Sequence, residues 1–299
     1  DGRLALRFLT GIGAAGIIPV SLAWIGDHTK YEDRQISLGN FITFILLGQI
    51  FGPSLGGALA ELSSWRTAFY FFSIAFFIMT VILSAFDLRY RKLSESNAAP
   101  SFTLNPVRTY VSIFKNSWCR TILITVFLEG ALFYGSFAFV GAWIQSELNL
   151  SYMTIGLLLS GFGLGGIFYT ISIRKFQAIL GEVGFIATGT VILFIFLMGL
   201  TITDSIALVG LWCILGGFGF YMLHNTLQTK ATEMYPKARG TAISVFAMSL
   251  FSGQAIGTIV FGILSTTYGY TISFFVTSFG MLALGGFFMK KLKANLPVN

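Results

Sequence analysis

Charge is what this sequence has least of: 10% of its 299 residues are Asp, Glu, Lys or Arg, against about 25% in an ordinary soluble domain. A water-soluble fold cannot cover its surface with so few polar groups. Cysteine is also scarce. Cys119 and Cys213 sit in or at the end of apolar runs, which fits buried thiols and argues against a disulfide scaffold. Of the two histidines, His28 has no cysteine nearby, so no zinc site is indicated. The sequence holds no His-Glu-x-x-His and no Gly-x-x-x-x-Gly-Lys-Ser/Thr loop, which argues against an enzyme. Without a nucleotide loop, nothing in the sequence points to direct use of ATP. Neither a cofactor nor a nucleic-acid partner is expected.

Apolar residues make up 55% of the chain, with 32 Phe and a mean hydropathy of +0.79. A membrane-crossing helix needs about 20 mostly apolar residues. Nine such spans are predicted, at 4–26, 38–60, 66–87, 120–143, 152–173, 181–203, 206–229, 240–264 and 269–289. The fold class is therefore an all-α membrane protein. Each span mixes Gly, Ser or Thr with its Leu, Ile and Phe, the small residues that let membrane helices approach closely.

Cations segregate between the connectors, and cytoplasmic loops are the ones that hold them. One set, with Lys30 and Arg34, the stretch 88–120, Arg174 and Lys175, Lys230, Lys237 and Arg239, and the Lys of the tail, carries 16 of the 19 Lys and Arg. The opposite side has only Arg3, Arg7 and Arg66. The net charge of +7 is thus mainly a topology signal. It implies a multi-pass protein of the cell membrane with its carboxyl terminus in the cytoplasm.

Shifting the sequence by 205 residues discloses a repeat. Gly48-Gln49, Gly52 and Gly57 fall on Gly253-Gln254, Gly257 and Gly262, and Arg34 falls on Arg239. With one residue of slack, Gly11, Gly13 and Asp27 fall on Gly217, Gly219 and Glu233. Spans one to three therefore repeat as spans seven to nine, whereas spans four to six have no partner in the chain. Their partners are expected upstream, starting roughly 90 residues before Asp1 if the offset holds. The expectation is nine helices of a twelve-helix protein: 1–87 the remainder of an N-terminal six-helix bundle, 88–118 a cytoplasmic connector, and 119–299 a C-terminal six-helix bundle.

Two parallel halves that rock about a central site are the plan of the major facilitator transporters, and particular residues resemble that family. Arg7-Phe-Leu-Thr-Gly11-Ile-Gly13-Ala-Ala resembles its fourth-helix motif, with Thr10 in place of Gln. Gly48-x3-Gly52-Pro53-x2-Gly56-Gly57 is similar to the fifth-helix antiporter motif in full. Trp65-Arg66-x-x-Phe69 resembles the sixth-helix entrance of the twelve-helix drug:proton antiporters. The resemblance implies that the glycine face of the fifth helix packs on the other half and seals the interior, and that Arg7 is a buried arginine answering a proton-carrying acid. From the residues alone, a snorkelling interfacial Arg7 is equally acceptable.

Glu129 is the sharpest candidate for chemistry. About nine residues inside its span, an unpaired carboxylate there costs at least roughly 2.5 to 3.5 kcal/mol. Thr121, Thr125 and Ser136 share its helical face, predicting a polar stripe toward a water-filled cavity. Glu129 then carries a proton or meets a cationic substrate; otherwise it is a carboxyl bonded to a neighbouring helix. Tyr221, His224, Asn225 and Gln228 form a second polar face, either lining the cavity, with His224 as a proton group, or bonding helices together. Asp27 with Arg34 and Glu233 with Arg239 occupy equivalent loops and are candidates for a cytoplasmic gate. Pro53 is expected to bend its helix.

These readings lead to a monomeric, proton-coupled exporter of small organic compounds or drugs working by alternating access, in contact with its substrate, protons and membrane lipid. A sugar or metabolite facilitator of the same fold and a non-transporting remnant are the alternatives.

Overall fold

The computed structural model describes residues 2–29, 31–93 and 106–295, and every regular element among them is helical. Helices α1 (Gly2–His28), α2 (Tyr31–Leu62) and α3 (Trp65–Leu93) come first. α3 outruns its expected end at 87, so Arg89 and Arg91 ride on helix. Within the connector expected at 88–118, residues 94–105 lie outside the described residues, and Pro106–Lys115 forms α4. Asn116 then starts α5 (Ser117–Glu129). Its side-chain oxygen accepts the N–H groups of Trp118 and Cys119 at 2.9 and 3.0 Å, satisfying donors that a helix start leaves over.

The span expected as one helix over 120–143 is interrupted. After α5 come a π-turn at Gly130–Tyr134, a short α6 (Gly135–Phe137) and α7 (Val140–Leu148). Glycine spacing gives the reason. Around a regular α-helix, residues five apart sit about 140° from each other. An i→i+5 turn, closed by the Gly135 N–H on the Gly130 carbonyl, brings both glycines toward one side. There they meet the backbone of α10 (Arg239–Asn295): a Cβ on Gly135 would lie 2.6 Å from the Gly257 carbonyl carbon, and one on Gly130 3.1 Å from the Gln254 nitrogen. Gly253 and Gly257 answer from α10 against Phe127 and Ala131.

α8 (Tyr152–Ile202) and α10 each contain one break, and α9 (Ile206–Glu233) lies between them in sequence. The breaks fall at Gly181 (φ +61°) and Gly269 (φ +82°), a region of φ that glycine enters without steric cost. Each of these two long helices thus carries two of the expected spans. Six helical segments among the described residues are long and apolar enough to cross a membrane, and α1 adds the shorter apolar run Leu4–Ile18.

The chain divides into two compact units, 1–48 and 49–299. In the first, α1 exposes Leu4, Phe8 and Val20. In the second, α8 packs along α9 while α10 packs on α5, the π-turn and α8. Phe133, Phe196, Phe220, Phe274 and Phe288 are fully buried there. Phe71, Phe76 and Phe77 of α3 stay exposed, an apolar surface suited to lipid.

Candidate functional site

Glu129 closes α5 at the first residue before the π-turn and is 0% exposed. His224 of α9 meets it: Nδ1 stands 2.9 Å from Glu129 Oε2. Either the imidazole N–H donates to a carboxylate, or a protonated carboxyl donates to the ring nitrogen. The pair therefore keeps its bond at net charge −1 and at net charge 0, one proton apart. Among the described residues no donor reaches the other carboxyl oxygen, Oε1. Aromatic rings enclose the pair: Phe220 stacks on His224 at 4.9 Å, Phe246 lies 5.7 Å from it, and Tyr134 meets Phe220 edge-on at 5.1 Å. Rings exclude water, and with water excluded a buried charge interacts more strongly.

One turn away on α9, the Tyr221 hydroxyl donates to Gln49 Oε1 of α2 at 2.7 Å. Its ring stacks on Tyr169 of α8 at 5.9 Å, and Tyr169 in turn shares a hydrogen bond with the Asn225 side chain. The polar face read on α9 is thus engaged at Tyr221, His224 and Asn225, whereas Gln228 is exposed. Gln49, Tyr134 and Tyr169 were not singled out for this site, because they lie on three other helical segments and only packing brings them to this face of α9.

Beyond Gln49, α2 runs against the start of α8. Ser160 bonds to Ser54 and to the Ile50 carbonyl. A Cβ on Gly156 would lie 2.9 Å from the Pro53 carbonyl carbon, and Gly57 abuts Tyr152. At the end of this seam, Glu61 Oε2 accepts the Met153 N–H at 2.8 Å. The glycine motif is only partly used here: Gly57 is in contact, while Cβ positions on Gly48, Gly52 and Gly56 meet nothing within 4 Å among the described residues. Pro53 sits inside an uninterrupted α2.

Other expectations fare differently. The stripe of Thr121, Thr125 and Ser136 does not line water. All three are buried and donate to carbonyls of their own helical segment, and the π-turn shifts Ser136 out of the register assumed for a regular helix. Arg7 lies on α1 in the unit 1–48 and is exposed there. The side chains of Asp27 and Arg34 lie outside the described residues. Glu233 lies 3.6 Å from Lys230, which bonds at 2.8 Å to Glu182; Arg239 is exposed at the start of α10.

The sequence model of the Major Facilitator Superfamily matches residues 4–258 and 143–297. An uncharacterized MFS-type transporter, YceJ of Bacillus subtilis, is 27% identical over 91% of this chain and 70% of its own length. Multidrug resistance protein 1 of Bacillus subtilis is 26% identical over 86% of this chain and 65% of its own. The multi-drug resistance efflux pump PmrA homolog of Lactococcus lactis is 24% identical over 88% and 65%. The chain spans about two thirds of the length of these curated relatives.

Proposed function

The chain belongs to the major facilitator superfamily of membrane transporters, and on that premise we propose that it exports small organic compounds, with drugs among them, in exchange for protons. The observation that carries this reading is the buried Glu129–His224 pair. It can take up one proton without losing its hydrogen bond, which is what a coupling group must do when the site is closed to water. At net charge −1 the pair is costly at membrane depth and is relieved by a proton or by a cationic substrate at the unpartnered Oε1. At net charge 0 it tolerates burial. The resistance and efflux names of the relatives support export as the direction.

Residues 1–87 and 119–299 are assigned to two halves that alternate access around this site, with 88–118 as their connector and the cation-rich loops in the cytoplasm of a multi-pass cell-membrane protein. The protein acts as a monomer in this reading. Tyr221, Asn225 and Gln228 line the path beside the pair, and Glu233 and Arg239 belong to its cytoplasmic gate.

Glu129→Gln keeps shape and hydrogen bonding but removes the titratable proton. Uphill export of a fluorescent cationic dye and of a neutral one, with and without an uncoupler, tests the reading. Loss of uphill export with downhill exchange retained is expected if Glu129 couples protons, and selective loss of the cationic dye if it binds substrate. Unchanged uphill export of both dyes removes Glu129 from the mechanism, and wild-type export indifferent to the uncoupler removes proton coupling.

A further inference from the structure

Glu61 stands where a carboxylate is least at home on its own helix. It lies in the last turn of α2, at the negative pole of that helix dipole, which disfavours an anion. A second helix offsets this. Glu61 Oε2 accepts the backbone N–H of Met153, the second residue of α8, at 2.8 Å, and the Ser151 side chain hydrogen-bonds to the same carboxylate. Ser151 is itself the cap of α8 and accepts the Thr154 N–H. Two free N–H groups in the first turn of α8, those of Met153 and Thr154, are therefore satisfied from two sources, a carboxylate lent by α2 and its own Ser151. This contact ends a seam in which Gly57 abuts Tyr152, Gly156 abuts Pro53 and Ser54 meets Ser160.

We propose that Glu61 is a latch: its carboxylate, seated on the N-terminus of α8, fastens the two halves at the end of the seam away from the cation-rich connectors. It releases when the path opens on that side. The latch rests on the two-half, alternating-access reading given above, since α2 and α8 are assigned to different halves there. Opening strips Met153 of its partner and returns Glu61 to the unfavourable pole of α2, so the closed form is favoured while both are engaged. Ser63, Ser64 and Glu147 are further polar residues at this end, but no hydrogen bond joins any of them to the Met153 N–H.

The test uses the whole protein in intact cells with Ser160→Cys as reporter. Ser160 is 5% exposed inside the seam, and the native Cys119 and Cys213 are buried, so the protein without the reporter sets the background. A membrane-impermeant maleimide added outside reads how often the seam opens. Glu61→Ala is expected to raise the labelling rate about two- to fivefold, the range for a carboxylate at a helix N-terminus. Glu61→Gln, with a neutral acceptor, is expected to fall between wild type and Glu61→Ala, Glu61→Lys to exceed both, and Glu147→Ala to match wild type. Equal labelling in wild type and all three Glu61 variants overturns the latch. A wild-type reporter that never responds to an imposed proton gradient or to an added dye overturns alternating access instead, and the two failures are separate.

Discussion

Gly257→Ala probes the link between packing and the proposed coupling pair. The added Cβ would stand 2.5 Å from the carbonyl carbon of Ala131, where ordinary contact begins at 3.4 Å. The obstructing atoms are backbone on both sides, so no rotamer change relieves them, and α10 and the π-turn must separate by about 1 Å. Such overpacking costs about 1 to 3 kcal/mol, an equilibrium shift of about 5- to 150-fold. Ala131 follows Glu129 by two residues, so the part of the separation taken up by the π-turn also moves the carboxyl. Lengthening its 2.9 Å contact with His224 by about 1 Å takes it outside hydrogen-bonding distance. Thermal unfolding in detergent and uphill dye export are the two assays, with Gly286→Ala as control because a Cβ there meets nothing within 4 Å on the same helix. Gly257→Ala should lose both stability and uphill export. If it matches Gly286→Ala in both, the glycine clamp does not hold the pair, and the argument from close approach fails.

How far the site was legible depends on the range of the interaction. Glu129 was legible because one ionisable residue in an apolar run is conspicuous on energetic grounds alone. Its partner was not, since His224 lies 95 residues away in sequence and only the packing of α5 on α9 brings them together. The stripe through Ser136 failed for a local reason: a sequence read at 3.6 residues per turn contains no sign of the π-turn, whose cause is the glycine face of α10. Apolar run length marked where the long helices of α8 and α10 lie, and the two breaks at Gly181 and Gly269 fall at the first residues of two expected spans. The motif glycines showed that α2 has a small-residue face but not what lies against it, and among the described residues only Gly57 of the four has a close neighbour. Glu61 went unnoticed because a carboxylate at a helix end looks like a solvated one until α8 is placed beside it.

Two further outcomes are expected. For topology, Glu95→Cys in the 88–118 connector should resist an impermeant maleimide outside intact cells and react once the membrane is permeabilised, since that connector belongs to the cation-rich set; labelling from outside inverts the orientation. The second concerns the Tyr221–Gln49 bond, which joins α9 to α2 at 2.7 Å. Tyr221→Phe leaves the Gln49 oxygen without its donor, and Gln49→Met leaves the Tyr221 hydroxyl without its acceptor, so each single change should lower stability by about 1 kcal/mol. The double variant removes both polar groups and strands neither. Its loss should therefore be smaller than the two single losses together, with a coupling of about 0.5 to 1.5 kcal/mol in unfolding measurements on all four proteins. Losses that add to within about 0.3 kcal/mol show that the two groups do not interact, and Tyr221 then owes its position to ring stacking on Tyr169 rather than to the helix across the seam.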